Sequence, residues 1–249
     1  AADLLARAAR GEPLPYLLGE REFYGRPFHV TPAALIPRPE TELLVERAIA
    51  WLQTSRVSKT REVSAIAADV GTGCGCIAIS LACAGAGLRV WASDISPAAL
   101  ALARENAARH GVADRITFAE GDLLTPLPGP FDLLCANLPY IPTSVLDDLP
   151  VARHEPRLAL DGGPDGLIAI RRLLAQAPPK MAPGGRLLLE IEAGQGAAVL
   201  DLARASFPRA EITLRRDLAG LDRLLEISLP LSEVDPLATP TKTATPSRS

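Results

Sequence analysis

The sequence predicts a doubly wound α/β domain on a mostly parallel sheet, and three observations carry that expectation. From Ser64 onward, short apolar runs alternate with segments whose apolar residues recur at helical spacing. The first of those runs leads straight into a glycine-rich turn, Gly71-Thr72-Gly73-Cys74-Gly75. The chain has 249 residues, 48% of them hydrophobic, enough to bury a full-sized core in one main domain with a small appendage.

Residues 2–10 read as the tail of a helix whose partners are missing. The first residue is Ala1 and the sole methionine is Met181, which predicts that the natural chain begins upstream and that residues 1–12 are a remnant. Residues 13–40, dense in proline, glycine and aromatics, read as a connector rather than core, with a hairpin around Gly25. Leu44, Val45, Ala48, Ile49 and Leu52 mark an amphipathic helix over 41–53, capped by Thr41 or a nearby acid and packed on the sheet.

The main domain is expected over 41–229. Its strands are read at 65–70, 89–93, 116–119, 131–136, 186–191, near 211–214 and at 223–227. Helices fall between them: one from Cys76, then 97–110, 166–177 and 196–206. Residues 139–165, rich in proline and glycine, are longer than an ordinary connection and are expected to wall one side of a site. The tail over 230–249, rich in Thr, Pro and Ser, is expected to be disordered because it has too little apolar surface to bury.

A formal charge of -3 gives no basic face for nucleic acid, so direct nucleic-acid binding is not expected. No run approaches the roughly 20 apolar residues of a membrane span, and the N-terminus has no secretory pattern. The expected location is the cytoplasm. Cys74, Cys76, Cys83 and Cys135 lack zinc-ribbon spacing and read as free thiols filling core space, with no metal site. His29, His110 and His154 lie in unrelated contexts and read as surface or packing residues.

Ligands in this architecture bind at the carboxyl ends of strands, where the chemistry-bearing residues fall. Gly71, Gly73 and Gly75 permit close backbone approach and positive φ, and the helix after them offers free N–H groups. The spacing is not the full dinucleotide pattern, since residue 76 is Cys, and a plain tight turn is the alternative. Asp94 ends the second strand, where an acid can accept from both ribose hydroxyls of an adenosine cofactor; the alternative, a helix N-cap, competes with Ser96. Asp122 and Leu123 follow the third strand, placed for an adenine amino group and ring, or else Asp122 is a solvated loop acid.

Asn137-Leu138-Pro139-Tyr140 follows the fourth strand. The Asn137 amide oxygen and the Leu138 carbonyl can accept both hydrogens of a planar amino group, aiming the nitrogen lone pair at an electrophilic methyl. Tyr140 is placed to stack on that plane. An ordinary Asn-x-Pro turn is the alternative. No general base is required, because nitrogen sheds its proton readily once alkylated.

These motifs identify a resemblance. Pro13-Leu-Pro-Tyr-Leu-Leu-Gly19, Leu35-Ile-Pro-Arg38-Pro-Glu40-Thr-Glu42, the glycine loop, Asn137 to Tyr140, Glu155-Pro-Arg157 and Asp217-Leu-Ala-Gly220-Leu-Asp-Arg223 resemble the peptide chain release factor glutamine methyltransferases. The likeness runs nearly from Pro13 to Ile227, and the Ile-Pro-Arg-Pro-Glu-Thr-Glu run is its most specific part. It implies a Rossmann-like, seven-stranded methyltransferase sheet behind an N-terminal helical domain that is mostly absent here. It implies S-adenosyl-L-methionine as cofactor and, as partner, a release factor whose Gly-Gly-Gln loop carries the methylated glutamine, acted on by a monomer.

Carried onto this sequence, the resemblance implies cofactor contacts at Gly71, Thr72, Gly73, Cys74, Gly75, Asp94, Asp122, Leu123 and Asn137. It implies a substrate grip and catalysis at Asn137, Leu138, Pro139 and Tyr140. Arg38 and Glu40 either line the substrate mouth or form a salt bridge fixing the hairpin, and a loop ion pair would equally explain Glu155 and Arg157. Leu138 stands where the family has proline, keeping the carbonyl but freeing φ, and Leu221 where it often has histidine. Rival readings are an adenine exocyclic-amino methyltransferase acting on nucleic acid, a small-molecule N-methyltransferase, and a non-catalytic adenosine- or dinucleotide-binding module.

Overall fold

The computed structural model describes residues 2–54, 65–85 and 87–231. Helix α1 (Ala2–Ala9) and the short α2 (Leu14–Leu18) lead into a hairpin of β1 (Glu20–Phe23) and β2 (Arg26–His29). Tyr24 and Gly25 both take positive φ, 49° and 68°, the backbone that matches the twist of a two-residue hairpin turn. Contrary to the reading of this segment as mere connector, Phe23 and Phe28 are 1% and 0% exposed and belong to the main core. Asn106 clasps the hairpin: its Oδ1 accepts from His29 N at 2.8 Å, and its Nδ2 donates to His29 O and Cys74 O, each at 2.9 Å.

Helix α3 (Thr41–Thr54) then lies against the main sheet. That sheet contains β3 (Ile66–Val70), β4 (Arg89–Asp94), β5 (Ile116–Glu120), β6 (Phe131–Ala136), β7 (Met181–Glu190), β8 (Glu211–Arg216) and β9 (Asp222–Ser228). The seven strands run in the order β5-β4-β3-β6-β7-β9-β8. The first five pair in parallel, and β9 and β8 close the far edge antiparallel. All six residues of β6 are buried, as expected of a central strand covered on both faces.

Helices α4 (Cys76–Ala84) and α5 (Pro97–Arg109) join α3 on one face. After a short α6 (Thr143–Leu146), α7 (Ile168–Gln176) and α8 (Gly196–Ser206) cover the other. Strand order reverses between β3 and β6, so the crevice at their carboxyl ends is the topological switch point. Both the glycine loop and the Asn137 turn open into it.

Two element starts lie two or more residues from the sequence reading. Strand β7 begins at Met181 rather than Arg186, because Met181 pairs with Phe131 across a register shift. Helix α7 begins at Ile168, since Gly166 takes φ 73°, outside the helical region, with its Cα packed so closely on Tyr140 O that a Cβ has no room. The segment 139–165 contains α6, 3₁₀ turns at Pro150–Arg153 and Arg157–Ala159, and an isolated bridge between Ile141 and Asp161. The expected tail disorder falls on residues 232–249, outside the described residues, whereas Pro230 O accepts from Gly184 N at 2.8 Å. Among the described residues, no helix is long and apolar enough to cross a membrane.

Candidate active site

Leaving β3, the chain turns through Gly71, Gly73 and Gly75 at φ 73°, 56° and 86°, all in the region that favours glycine. Ser93 O accepts from both Gly71 N and Thr72 N at 2.9 Å, tying the loop to β4. A Cβ on Gly75 would lie 2.9 Å from Ile79 Cδ1, so Gly75 serves close helix packing rather than the cavity. Beneath the loop, Asp69 is fully buried, and its Oδ2 accepts from Thr72 Oγ1 at 2.6 Å and Ala78 N at 3.0 Å. Burial pushes the Asp69 carboxyl up to about 7 despite those bonds.

Asp94 braces the same loop from β4. Its Oδ2 accepts from Gly73 N and its Oδ1 from Ser96 N, each at 2.9 Å, while burial raises its pKa. Ser96 is the N-cap of α5, its Oγ accepting from Ala99 N at 3.2 Å, so Asp94 is not the cap. Leu123 takes φ 51°, and its carbonyl accepts from Ser93 Oγ at 2.8 Å. Asp122 is paired rather than merely solvated: its carboxylate meets the Arg172 guanidinium of α7.

Around these residues lies a cavity of about 460 Å³. It brings together Arg38, Gly71, Thr72, Gly73, Cys74, Asp94, Asp122, Leu123, Asn137, Leu138 and Pro139, leaving Gly75 and Tyr140 out. Tyr140 instead lines an adjoining cavity of about 140 Å³, shared with Arg38, Asn137 and Leu138. Thr143, Leu158 and Asp161 make the segment 139–165 one wall of the larger cavity.

Asn137 follows β6 directly, and its Nδ2 donates to Thr41 Oγ1 at 3.0 Å. Because the amide is planar, Oδ1 points away from Nδ2 and so away from Thr41, and Asn137 lines both cavities. Leu138 is buried, and a Cβ on Gly71 would stand 3.0 Å from its Cδ2, so the two motifs are in contact. Tyr140 O accepts from Gln195 Nε2 at 3.0 Å. Burial, reinforced by Glu190, pushes the Tyr140 hydroxyl up to about 12.

Arg38 lines the cavity and donates to Glu155 Oε1 at 2.5 Å, an ion pair to the wall segment rather than one fixing the hairpin to the sheet. Glu155 is buried, and its Oε2 accepts from Ile36 N at 3.0 Å, pinning the Ile-Pro-Arg segment to the wall. Arg157 pairs with Asp147 and Asp161 at 2.5 and 3.2 Å rather than with Glu155. Glu40 is exposed and does not line the cavity. Cys74, Cys76 and Cys135 are buried free thiols, and Cys83 is half-buried.

Sequence reasoning missed Asp69, Arg172, Gln195 and Glu190, and it named Thr41 as a cap and Glu155 as a loop ion-pair candidate without their contacts to Asn137 and Arg38. Asp69 and Glu190 carried one signal each, a lone acid inside or ending an apolar strand run. The others depend on contacts between distant segments.

A family model described as a methyltransferase domain matches residues 67–150. A solved methyltransferase from Pyrococcus furiosus shares the fold, at TM-score 0.59 and 15% identity over 93% of this chain and 100% of that one. Fold, cavity and family model together define the class as methyltransferase. The release factor glutamine methyltransferase of Moorella thermoacetica is 51% identical over 87% of this chain and 75% of its own length. That of Cereibacter sphaeroides is 45% identical over 92% and 78%. The chain belongs to the release factor glutamine methyltransferase family.

Proposed function

We propose that this chain transfers the methyl group of S-adenosyl-L-methionine to the side-chain amide nitrogen of the glutamine in the Gly-Gly-Gln loop of release factors. The observation that carries the reading is Asn137. Its NH₂ is held by Thr41, it lines the cavity, and its turn touches Gly71 of the cofactor loop, so Oδ1 is the acceptor assigned to the substrate.

The residues present fit the cofactor. The cavity, about 460 Å³, lies within the range of small-molecule sites. Asp94 spends one lone pair of each oxygen on the backbone and retains others for a ribose diol. Ile95 and Leu123 offer apolar sides for a planar ring, with Asp122 at its edge, while Gly71 and Gly73 admit the amino-acid end closely. When bound, S-adenosyl-L-methionine supplies an electrophilic methyl on a sulfonium centre.

Asn137 Oδ1 and the Leu138 carbonyl accept the two amide hydrogens of the glutamine, turning the nitrogen lone pair toward that methyl. Because Thr41 fixes Asn137 beforehand, little reorganisation is left for the transition state. Tyr140, half-buried and neutral, flanks the amide plane from the smaller cavity. A release-factor substrate places the reaction in the cytoplasm.

The test is transfer of labelled methyl from S-adenosyl-L-methionine to an unmodified release factor, beside a Gln-to-Ala mutant of its Gly-Gly-Gln loop and an oligonucleotide. Label confined to the intact loop is expected. Label on the oligonucleotide instead would move the reading to an adenine-amino methyltransferase.

A further inference from the structure

We propose that Glu190, acting through Thr41, is a positioning residue that fixes which way round the Asn137 amide faces. The inference rests on the function proposed above and deepens it. Glu190 ends β7, which runs parallel beside β6 with Leu189 in register with Ala136. Glu190 and Asn137 are therefore the next residues along, neighbours at the carboxyl edge of the sheet. Thr41, 2% exposed, opens α3 above them.

Glu190 is 1% exposed, and among the described residues neither of its oxygens has a hydrogen bond of full geometry. Arg223 attracts it but is itself held by Asp217 at 3.1 Å, and Glu40 repels it. Such a carboxylate serves stability poorly, since a buried charge without a strong partner is costly. It serves orientation well. Thr41 Oγ1, having accepted from Asn137 Nδ2 at 3.0 Å, has its own hydrogen left to donate, and Glu190 is the anion near both groups.

Ionised, as it is above about pH 7, Glu190 is an acceptor-only group behind Asn137 that attracts the NH₂ and the Thr41 hydroxyl and repels the amide oxygen. The flipped amide would set Oδ1 against that anion and present donors to a substrate NH₂ that needs acceptors. Glu190 and Thr41 thus select the amide face that can receive glutamine.

The experiment compares wild type with Glu190→Gln, Thr41→Val and Thr41→Ser. It measures initial rates of methyl transfer to the release factor, direct binding of S-adenosyl-L-methionine, and thermal midpoints. Glu190→Gln and Thr41→Val are expected to lower kcat by about tenfold or more, with cofactor Kd unchanged within about twofold. Thr41→Ser should restore most of the rate that Thr41→Val loses. Adding Asn137→Ala to Glu190→Gln should cost less than it does alone, since both act on one contact.

Glu190→Gln turning over like wild type, or losing cofactor affinity in step with rate, would overturn the inference. If Glu190→Gln does not fold, the Thr41 pair decides: equal losses in Val and Ser overturn it. A wild-type chain that binds cofactor yet never labels the release factor would sink the proposed function, and this inference with it.

Discussion

Replacing Glu190 by glutamine should stabilise the fold at pH 8 and slightly destabilise it at low pH. Burial pushes this carboxyl from its ordinary 4.5 up to about 7, with Thr41, Arg223 and Asn137 only partly opposing. In the unfolded chain the group ionises near 4.5. Between pH 4.5 and 7 the folded state therefore holds a proton that the unfolded state has released, and stability falls as pH rises through that window. Above pH 7 both states are ionised and the penalty is constant, at ~3 kcal/mol for the displacement from 4.5 to about 7. Glutamine carries no such penalty but buries an NH₂ that must find acceptors, at ~1 kcal/mol. The net gain is ~2 kcal/mol at pH 8, crosses zero at about pH 5, and becomes a loss of about 1 kcal/mol at lower pH, where the ionisation penalty is gone and the buried NH₂ cost remains. Asp69, whose carboxyl is also pushed up to about 7, has the same sign but is present in both proteins and cancels in the difference. Urea unfolding of both at pH 5, 6, 7 and 8, with m-values checked for equality, measures the gap directly. Parallel stability profiles, or a variant weaker than wild type at pH 8, would refute the reasoning. Gain in stability together with loss of turnover is the expected signature of a charge retained for function.

Asn137→Ala should lower kcat about 10²–10³-fold, the usual loss for a preorganised transition-state contact, while calorimetry shows cofactor affinity intact. Asp94→Ala removes the charged acceptor for the ribose and the brace on Gly73 N, and should weaken cofactor binding about 100-fold, measured by the same titration. Phe28→Ala empties a site with 0% exposure and should cost about 3–5 kcal/mol in urea unfolding. A cost below ~1 kcal/mol would mean that the hairpin is not part of the cooperative core.

The sheet was legible because its signals are local. Each central strand reads as an apolar run, the longer amphipathic helices as a 3.6 period, and the glycine loop and Asn137 turn sit where such runs end. The same locality hid the start of β7, because Pro183, Gly184 and Gly185 read as a turn while pairing from Met181 carries the strand through them. It also hid the hairpin's place in the core, which depends on Asn106 bonding to His29 across 77 positions.

The site was half legible for the same reason. Groups that would touch a ligand announce themselves by type and position at strand ends, but the groups that aim them do not. Thr41 meets Asn137 across 96 positions, and the helical spacing around Thr41 marks it only as a cap. Glu190 follows three leucines, so periodicity assigns it to a strand end and is silent on what it faces. A buried acid in a leucine strand is nevertheless a local anomaly, because ionising it there costs free energy that a neutral residue would not. The position therefore calls for an explanation beyond packing, and the one at hand is the amide turn on the neighbouring strand, whose acceptor face that charge sets.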